Sequence, residues 1–261
     1  MVSKTIEKTK NRGSKVITKL SSFDEKIVVI PDVHYNFERV EYILEKEKDS
    51  HRIVFLGDFF DFWDDTPDDV RKCCFELQRL WFSLENEGKK FHTLWGNHDL
   101  SYAWGNTNHR TVCSGWTREK SLAANRWMIP EDWDRFGWFV QVDEDILLTH
   151  AGLSGYFIDE EMGNEDIFEH LNEEQRWAEE SLIRGNGHWF YEIDAGIYGG
   201  ILWNRPNVIP YVFQEIEGLR QIFGHTYQKN GPWISNGNYC IDTALKNYAV
   251  IENGKIKIEK L

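Results

Sequence analysis

The sequence predicts an α/β protein whose first half is a parallel sheet, and three observations carry that reading. Apolar runs of strand length alternate with longer segments of helical periodicity through residues 27–95. Each of those runs stops abruptly and is followed within two residues by Asp or Asn. After residue 138 the spacing changes to short strands separated by acidic or Asn-Gly turns.

Taken in order, Ile27-Val28-Val29-Ile30 reads as a buried strand ended by Pro31-Asp32. Phe37, Val40, Ile43 and Leu44 then recur at helical spacing in a charged background. Arg52 to Leu56 is a second strand stopping at Gly57. Val70, Cys73, Leu77, Leu80, Trp81 and Leu84 trace one face of a long helix that ends near Gly88. Phe91 to Trp95 is a third strand, again stopping at glycine. Strand–helix–strand–helix–strand implies right-handed crossovers and parallel pairing, and ligands collect beyond the carboxyl ends of such strands. Asp32, Asp58 and Asn97 stand just beyond those ends.

In the second half, Trp138 to Val142 and Ile146 to Thr149 read as a hairpin around Asp143-Glu144-Asp145. A helical stretch near residues 164–183 follows, then strands at Gln221–Phe223, Tyr239–Asp242, Tyr248–Ile251 and Lys255–Ile258. Asn253-Gly254 is a strong hairpin turn between the last two. A second, largely antiparallel sheet packed on the first is expected from this half. Residues 100–137 and 152–205, aromatic and glycine-containing, read as irregular walls of a cleft.

With no internal repeat or low-complexity linker, residues 23–261 read as one domain, and its length is ample for a sizeable core. Residues 1–22 form a basic arm, solvated or peripheral, with Lys4, Lys8, Lys10, Arg12, Lys15 and Lys19 against Glu7 alone. A net charge of −13 argues against a general affinity for nucleic acid. No apolar run reaches the roughly 18 residues that a membrane helix needs, and the N-terminus lacks the apolar core of a signal peptide. Cys73, Cys74, Cys113 and Cys240 form no disulfide framework, so a reducing cytoplasm is the expected setting. Oligomeric state is not encoded in any pattern of this chain.

Five stretches carry the chemistry: Asp32-Val33-His34, Gly57-Asp58-Phe59-Phe60-Asp61, Gly96-Asn97-His98-Asp99, His150-Ala151-Gly152 and Gly224-His225-Thr226. Carboxylate, imidazole and amide oxygen together suit borderline divalent metals: Mn first, with Fe, Zn, Ni, Co or Mg as alternatives. A carboxylate at Asp58 could bridge two ions. Such a pair, about 3.5–4 Å apart, holds a shared hydroxide and stabilises both oxygens of an in-line displacement at phosphorus. Other histidines (His51, His92, His109, His170 and His188) are isolated and read as ordinary residues. The tryptophans at 104, 116, 127, 133 and 138 read as packing rather than a base-stacking platform, and Asp64-Asp65 and Asp68-Asp69 as a solvated helix start.

As an ordered set, these stretches resemble the signature DxH, GDxxD, GNH(D/E), H, GH of the calcineurin-like metallophosphoesterase superfamily. The segments His150 to Leu153, Leu202 to Arg205 and Ile222 to Thr226, with Tyr239 to Thr243, are similar to the branch of the phage lambda phosphatase, the serine/threonine protein phosphatases and the symmetrical diadenosine tetraphosphatases. The resemblance implies a four-layer α/β/β/α sandwich of two mixed sheets flanked by helices. It implies that Asp32 and His34 hold one metal, Asp58 bridges, and Asn97, His150 and His225 complete the second site. His98 would then protonate the leaving group with Asp61 orienting it, Asp99 would serve structure, and Arg205 and Asn97 would contact the phosphate.

Three departures stand out. Phe62 replaces the phosphate-gripping Arg that follows GDxxD in the protein phosphatases, with Arg110, Arg118, Arg126 and Arg184 as candidate substitutes. Tyr227 replaces the last His of the diesterases' GHxH, and Tyr35 replaces the usual Gly after DxH. The expected activity is a phosphomonoesterase or protein-phosphatase-like hydrolase acting on a phosphorylated small molecule, nucleotide or protein. A nucleotide polyphosphate hydrolase comes second, with Phe62 and Trp63 stacking on a base. A phosphodiesterase or nuclease, and a binding scaffold without activity, follow.

Overall fold

The computed structural model of the protein describes residues 18–261 apart from Trp63, Glu160, 194–197 and Pro210. The basic arm expected over residues 1–22 therefore lies mostly outside the described residues, as does the stacking role expected of Trp63. The end of that arm is strand β1 (Lys19–Leu20), paired in parallel with β6 (Val140–Val142) at a sheet edge.

The first sheet holds the order β12 (Lys255–Lys260), β11 (Asn247–Glu252), β2 (Ile27–Ile30), β3 (Arg52–Phe55), β4 (Lys90–Leu94) and β5 (Phe136–Gly137). Its centre is β2 (Ile27–Ile30), β3 (Arg52–Phe55) and β4 (Lys90–Leu94), all parallel. The crossovers are α1 (Phe37–Lys46) and α2 (Pro67–Asn86), as the periodicity predicts. Helix α2 starts on a capping box: the Thr66 hydroxyl accepts from Asp69 N, and the Asp69 carboxylate accepts from Thr66 N at 3.1 Å. Strand β5 (Phe136–Gly137) pairs in parallel with β4 at one edge.

Alternation along the strands assigns the layers. Val28, Ile30, Ile53 and Phe55 pack with Val40, Ile43, Leu77 and Trp81 of α1 and α2. Ile27, Val29, Val54 and Leu56 face instead Val140, Ile146, Leu148 and Ile222 of the second sheet. In that sheet β7 (Ile146–Leu148) turns Leu147 outward into the cluster holding Ile167, Phe168 and Leu171 of α6 (Asn164–Arg184). Helix, sheet, sheet and helix are thus stacked in four layers. Each fully buried aliphatic side chain contributes roughly 1.5–3 kcal/mol, so the double core can support a polar floor at its edge.

The second sheet differs from the expectation. Its order is β1-β6-β7-β8-β10-β9, with β8 (Arg220–Phe223), β9 (Trp233–Ser235) and β10 (Asn238–Cys240). Only β6–β7 and β9–β10 are antiparallel; β7–β8 and β8–β10 are parallel. The long connection containing α6 lets β8 return in the direction of β7, which a hairpin cannot do. The last hairpin, β11 (Asn247–Glu252) and β12 (Lys255–Lys260), leaves this sheet altogether and joins the first, with β11 antiparallel to β2.

A second correction concerns residues 100–137, expected to be irregular. They contain most of α3 (Asn97–Trp104), α4 (Arg118–Trp127) and α5 (Pro130–Trp133). Helix α4 carries few apolar residues, so its helical period is weak, but Thr117 caps it by accepting from Lys120 N at 3.2 Å. Of the five tryptophans expected to pack, Trp138 lies in the core and Trp104, Trp116 and Trp133 pack against it, while Trp127 is exposed with its ring 4.8 Å from that of Phe75.

Candidate metal and catalytic site

Six strands deliver the site from their carboxyl ends. Asp32, Asp58 and Asn97 follow β2, β3 and β4 of the first sheet, and His150, His225 and Asp242 follow β7, β8 and β10 of the second. The residues therefore converge along the seam where the two parallel strand sets end together. Among the described residues, Asp32, His34 and Asp58 form one group whose ligand atoms lie within 4.8 Å of one another, and Asp58, His150 and His225 form a second. Asp58 is common to both. Asn97 Oδ1 lies 3.0 Å from His150 Nε2 and so belongs to the second group. All six residues expected as ligands are thus brought together.

The loops hold these side chains by backbone bonds. His225 N donates to Asp32 Oδ1 at 2.9 Å, and His98 N donates to Asp58 Oδ1 at 2.9 Å. His150 Nδ1 meets the Leu56 carbonyl at 2.9 Å, and His34 Nδ1 meets the Asp61 carbonyl at 2.9 Å. A carbonyl partner keeps Nδ1 protonated, so Nε2 is the nitrogen that each ring turns toward a cation. His225 turns Nδ1 toward His150 Nε2 at 3.2 Å, and its own Nε2 is buried without a partner.

Backbone geometry is demanding here. His34, Tyr35, Asp58, Asp61 and His225 all have positive φ, which costs non-glycine residues energy and marks an over-determined functional loop. Tyr35, at φ 63°, occupies a conformation that glycine would adopt freely. Its hydroxyl donates to Asp65 instead. Gly96 serves another need, because a Cβ there would lie 2.1 Å from Asp58 Oδ1. Asp99 is buried and accepts from Phe59 N at 2.8 Å and Gly96 N at 3.1 Å, so it clamps two ligand loops together.

The donor set fits divalent cations. Burial opposes ionisation of Asp58, yet the imidazoles of His150 and His98 hold its carboxyl below the usual range. The same carboxylate, helped by Asp32, lifts His150 to about 9 against the pull of burial. Burial and the Asp242 carboxylate push Asp32 up to about 7. Burial and the Arg205 charge press His225 well down, which keeps its lone pair free. Adjacent carboxylates, a neutral imidazole and an orphaned buried nitrogen together make an environment that a cation would satisfy.

His98 and Asp61 are brought together beside this floor. His98 Nδ1 lies 2.7 Å from Asp61 Oδ2 and 3.2 Å from Cys113 Sγ, leaving Nε2 for the cleft. Burial works against a charged His98, but Asp58 and Asp61 overcome it and hold the imidazolium well above its ordinary pKa. The cleft, of about 400 Å³, is lined by Asp32, His34, His98, Arg205, Tyr227 and Phe62 among others. Arg205 is the only Lys or Arg among its described lining residues. The other candidate arginines point elsewhere: Arg110 pairs with Glu192 at 2.6 Å and Arg184 with Glu180 at 3.0 Å, while Arg118 and Arg126 are exposed on α4.

Two features escaped sequence reasoning. Asp242 is buried and lines the cleft; its position beyond the carboxyl end of β10 was the available signal. Asp65, expected to be solvated, is buried and ion-paired with Lys120, because the chain turns inward before α2 begins.

No curated protein matched the chain. In fold it is similar to the cold-active protein-tyrosine phosphatase of a psychrophilic Shewanella species, at 17% identity, TM-score 0.59, over 94% of this chain and 82% of that one. It is similar too to a serine/threonine phosphatase from Saccharomyces cerevisiae, at 17% identity, TM-score 0.52, over 94% and 83%. The family model for calcineurin-like phosphoesterases matches residues 25–229, which include every one of the five stretches, and the chain belongs to that family.

Proposed function

We propose that the protein is a dinuclear metal-dependent phosphomonoesterase of the protein-phosphatase type. The observation that carries this reading is the sharing of Asp58 between two ligand groups, with the His98–Asp61 pair at their side. Asp32 and His34 would hold one cation, Asn97, His150 and His225 the other, and Asp58 both. Bound cations, Mn foremost, would supply hydroxide at neutral pH and neutralise charge on the phosphoryl oxygens. Arg205 would bind the phosphate from the rim, being the one Lys or Arg among the described residues that line the cleft. His98 Nε2 gives its proton to the leaving oxygen, and Asp61 holds the ring in register.

Tyr227, where a diesterase would carry histidine, supports a monoester over a diester. Net charge −13 disfavours a nucleic acid substrate. A nucleotide polyphosphate is the second reading, favoured by Phe62 standing 62% exposed beside the cleft, where a base could stack. The intact ligand set weighs against a binding scaffold. Among the described residues no helix is long and apolar enough to cross a membrane. The four buried free cysteines support a reducing compartment such as the cytoplasm.

The test is a Mn-loaded substrate panel of p-nitrophenyl phosphate, phosphopeptide, diadenosine tetraphosphate, bis-p-nitrophenyl phosphate and single-stranded DNA. The monoesters are expected to turn over fastest. Faster hydrolysis of the tetraphosphate would select the second reading, and no hydrolysis of any substrate would leave the scaffold.

A further inference from the structure

A chain of buried charges continues from the His98–Asp61 pair into the protein, away from the ligand cluster. Asp61 gives Oδ2 to His98; its Oδ1 is buried and has no hydrogen-bond partner. Among the described residues, the cation paired with that oxygen is Lys120, whose Nζ lies 3.7 Å away. Lys120 is 6% exposed, donates to the Gly115 carbonyl at 2.8 Å and pairs with Asp65. Asp65 also accepts from the hydroxyls of Tyr35 and Tyr102. Gly115 presses on the same carboxylate: a Cβ there would lie 2.2 Å from Asp61 Oδ2.

Two general terms oppose a lysine at this place. It occupies the first turn of α4, where the helix dipole disfavours a cation, and burial strips its hydration. Asp65 alone would offset part of that cost and would make Lys120 a tie between α4 and the loop before α2. The orphaned Asp61 oxygen 3.7 Å away is what a simple tie leaves unexplained.

We propose that Lys120 is a positioning residue for proton donation: its ammonium, anchored by Asp65 and Gly115, fixes the Asp61 carboxylate so that Oδ2 meets His98 Nδ1. With Lys120 absent, the carboxylate is free to rotate about Cβ–Cγ. The Cys113 thiol, a weak partner at 3.2 Å, then becomes the main restraint on the ring. The inference rests on His98 being the proton donor of the proposed phosphomonoesterase.

The experiment compares wild type with Lys120→Met and with the charge-balanced Lys120→Met/Asp65→Asn, both Mn-loaded, on two substrates. p-Nitrophenol leaves readily without a proton, whereas the alcohol of glycerol phosphate needs one. The expected result is a kcat for glycerol phosphate reduced at least about tenfold more than for p-nitrophenyl phosphate, since general acid catalysis contributes about 10²–10⁴-fold. KM and Mn affinity stay unchanged. In the metal-free protein, the downfield proton resonance of His98 Nδ1–H shifts or broadens in both variants. Equal losses on the two substrates, no loss, or an unmoved resonance would overturn the proposal. Failure of both variants to fold would overturn it too, by assigning Lys120 to stability. If wild type hydrolyses neither ester, the proposed function fails, and the resonance still decides whether Lys120 holds the Asp61–His98 geometry.

Discussion

The floor of the cleft and its rim sit within one cavity but are held by different means. On the floor Asp32, Asp58, Asn97 and His150 are buried, and backbone amides, carbonyls and neighbouring ligands fix each of them. At the rim Phe62 is 62% and Tyr227 53% exposed, and Arg205 is half-buried and makes no ion pair with the described residues. The floor is a set of donors whose mutual distances must stay within narrow limits for metal chemistry, so strain is accepted there. The rim has only to meet a substrate, and its side chains are free to differ from those of other phosphatases. On the proposed function, the difference teaches that reaction type and substrate choice are encoded in separate parts of this site.

The largest expected effect comes from breaking the floor. Asp58→Asn removes the carboxylate common to both ligand groups and is predicted to lower kcat by about 10³-fold or more. Mn binding by calorimetry should weaken in parallel, while the thermal melt stays cooperative. Retained turnover would sink the assignment of Asp58. Arg205→Ala acts at the rim and is expected to raise KM about 10–100-fold, the scale of one charge-assisted phosphate contact. A change confined to kcat would move Arg205 away from ground-state phosphate binding.

Acidity gives a third way to separate the regions. In the metal-free fold His150 is raised to about 9 by Asp58 and Asp32 although burial opposes it. Its proton therefore stabilises that fold fully below the unfolded value of about 6.5, and this contribution fades as pH rises through 9. A cation must displace the proton, so Mn affinity should rise with pH up to about 9, with protons released on binding. Calorimetry at neutral pH in buffers of different ionisation enthalpy reads that release; its absence would contradict the coupling. The smallest effect belongs to Phe62→Ala. Turnover of a small phosphomonoester should change less than about fivefold, because a surface aromatic contributes about 1 kcal/mol or less. A much larger loss on diadenosine tetraphosphate alone would reveal base stacking and shift the substrate reading.

Much of the floor was legible because its residues sit at one kind of place, the turn after a buried parallel strand. The rim was legible only as a departure, Phe62 and Tyr227 standing where other residues were expected. Lys120 and Asp65 were not legible at all. A charged residue at the start of a helix is ordinarily solvated, and nothing local in Arg118-Glu119-Lys120 says that this ammonium turns inward.

By itself the amino-acid order determined the first three strands, their crossover helices, and the Asp and Asn residues that follow each strand. Those features follow from local periodicity and from turn chemistry within a few residues. Tertiary structure alone decided that Asn247–Glu252 pairs with Ile27–Ile30 rather than with the second sheet. It alone decided that β7, β8 and β10 run parallel, and that Asp242 and the Lys120–Asp61 pair reach the site. Strand partners and buried charge pairs depend on groups as much as 224 residues apart, as Ile27 and Ile251 are, and an alternating pattern is the same whichever neighbour completes it.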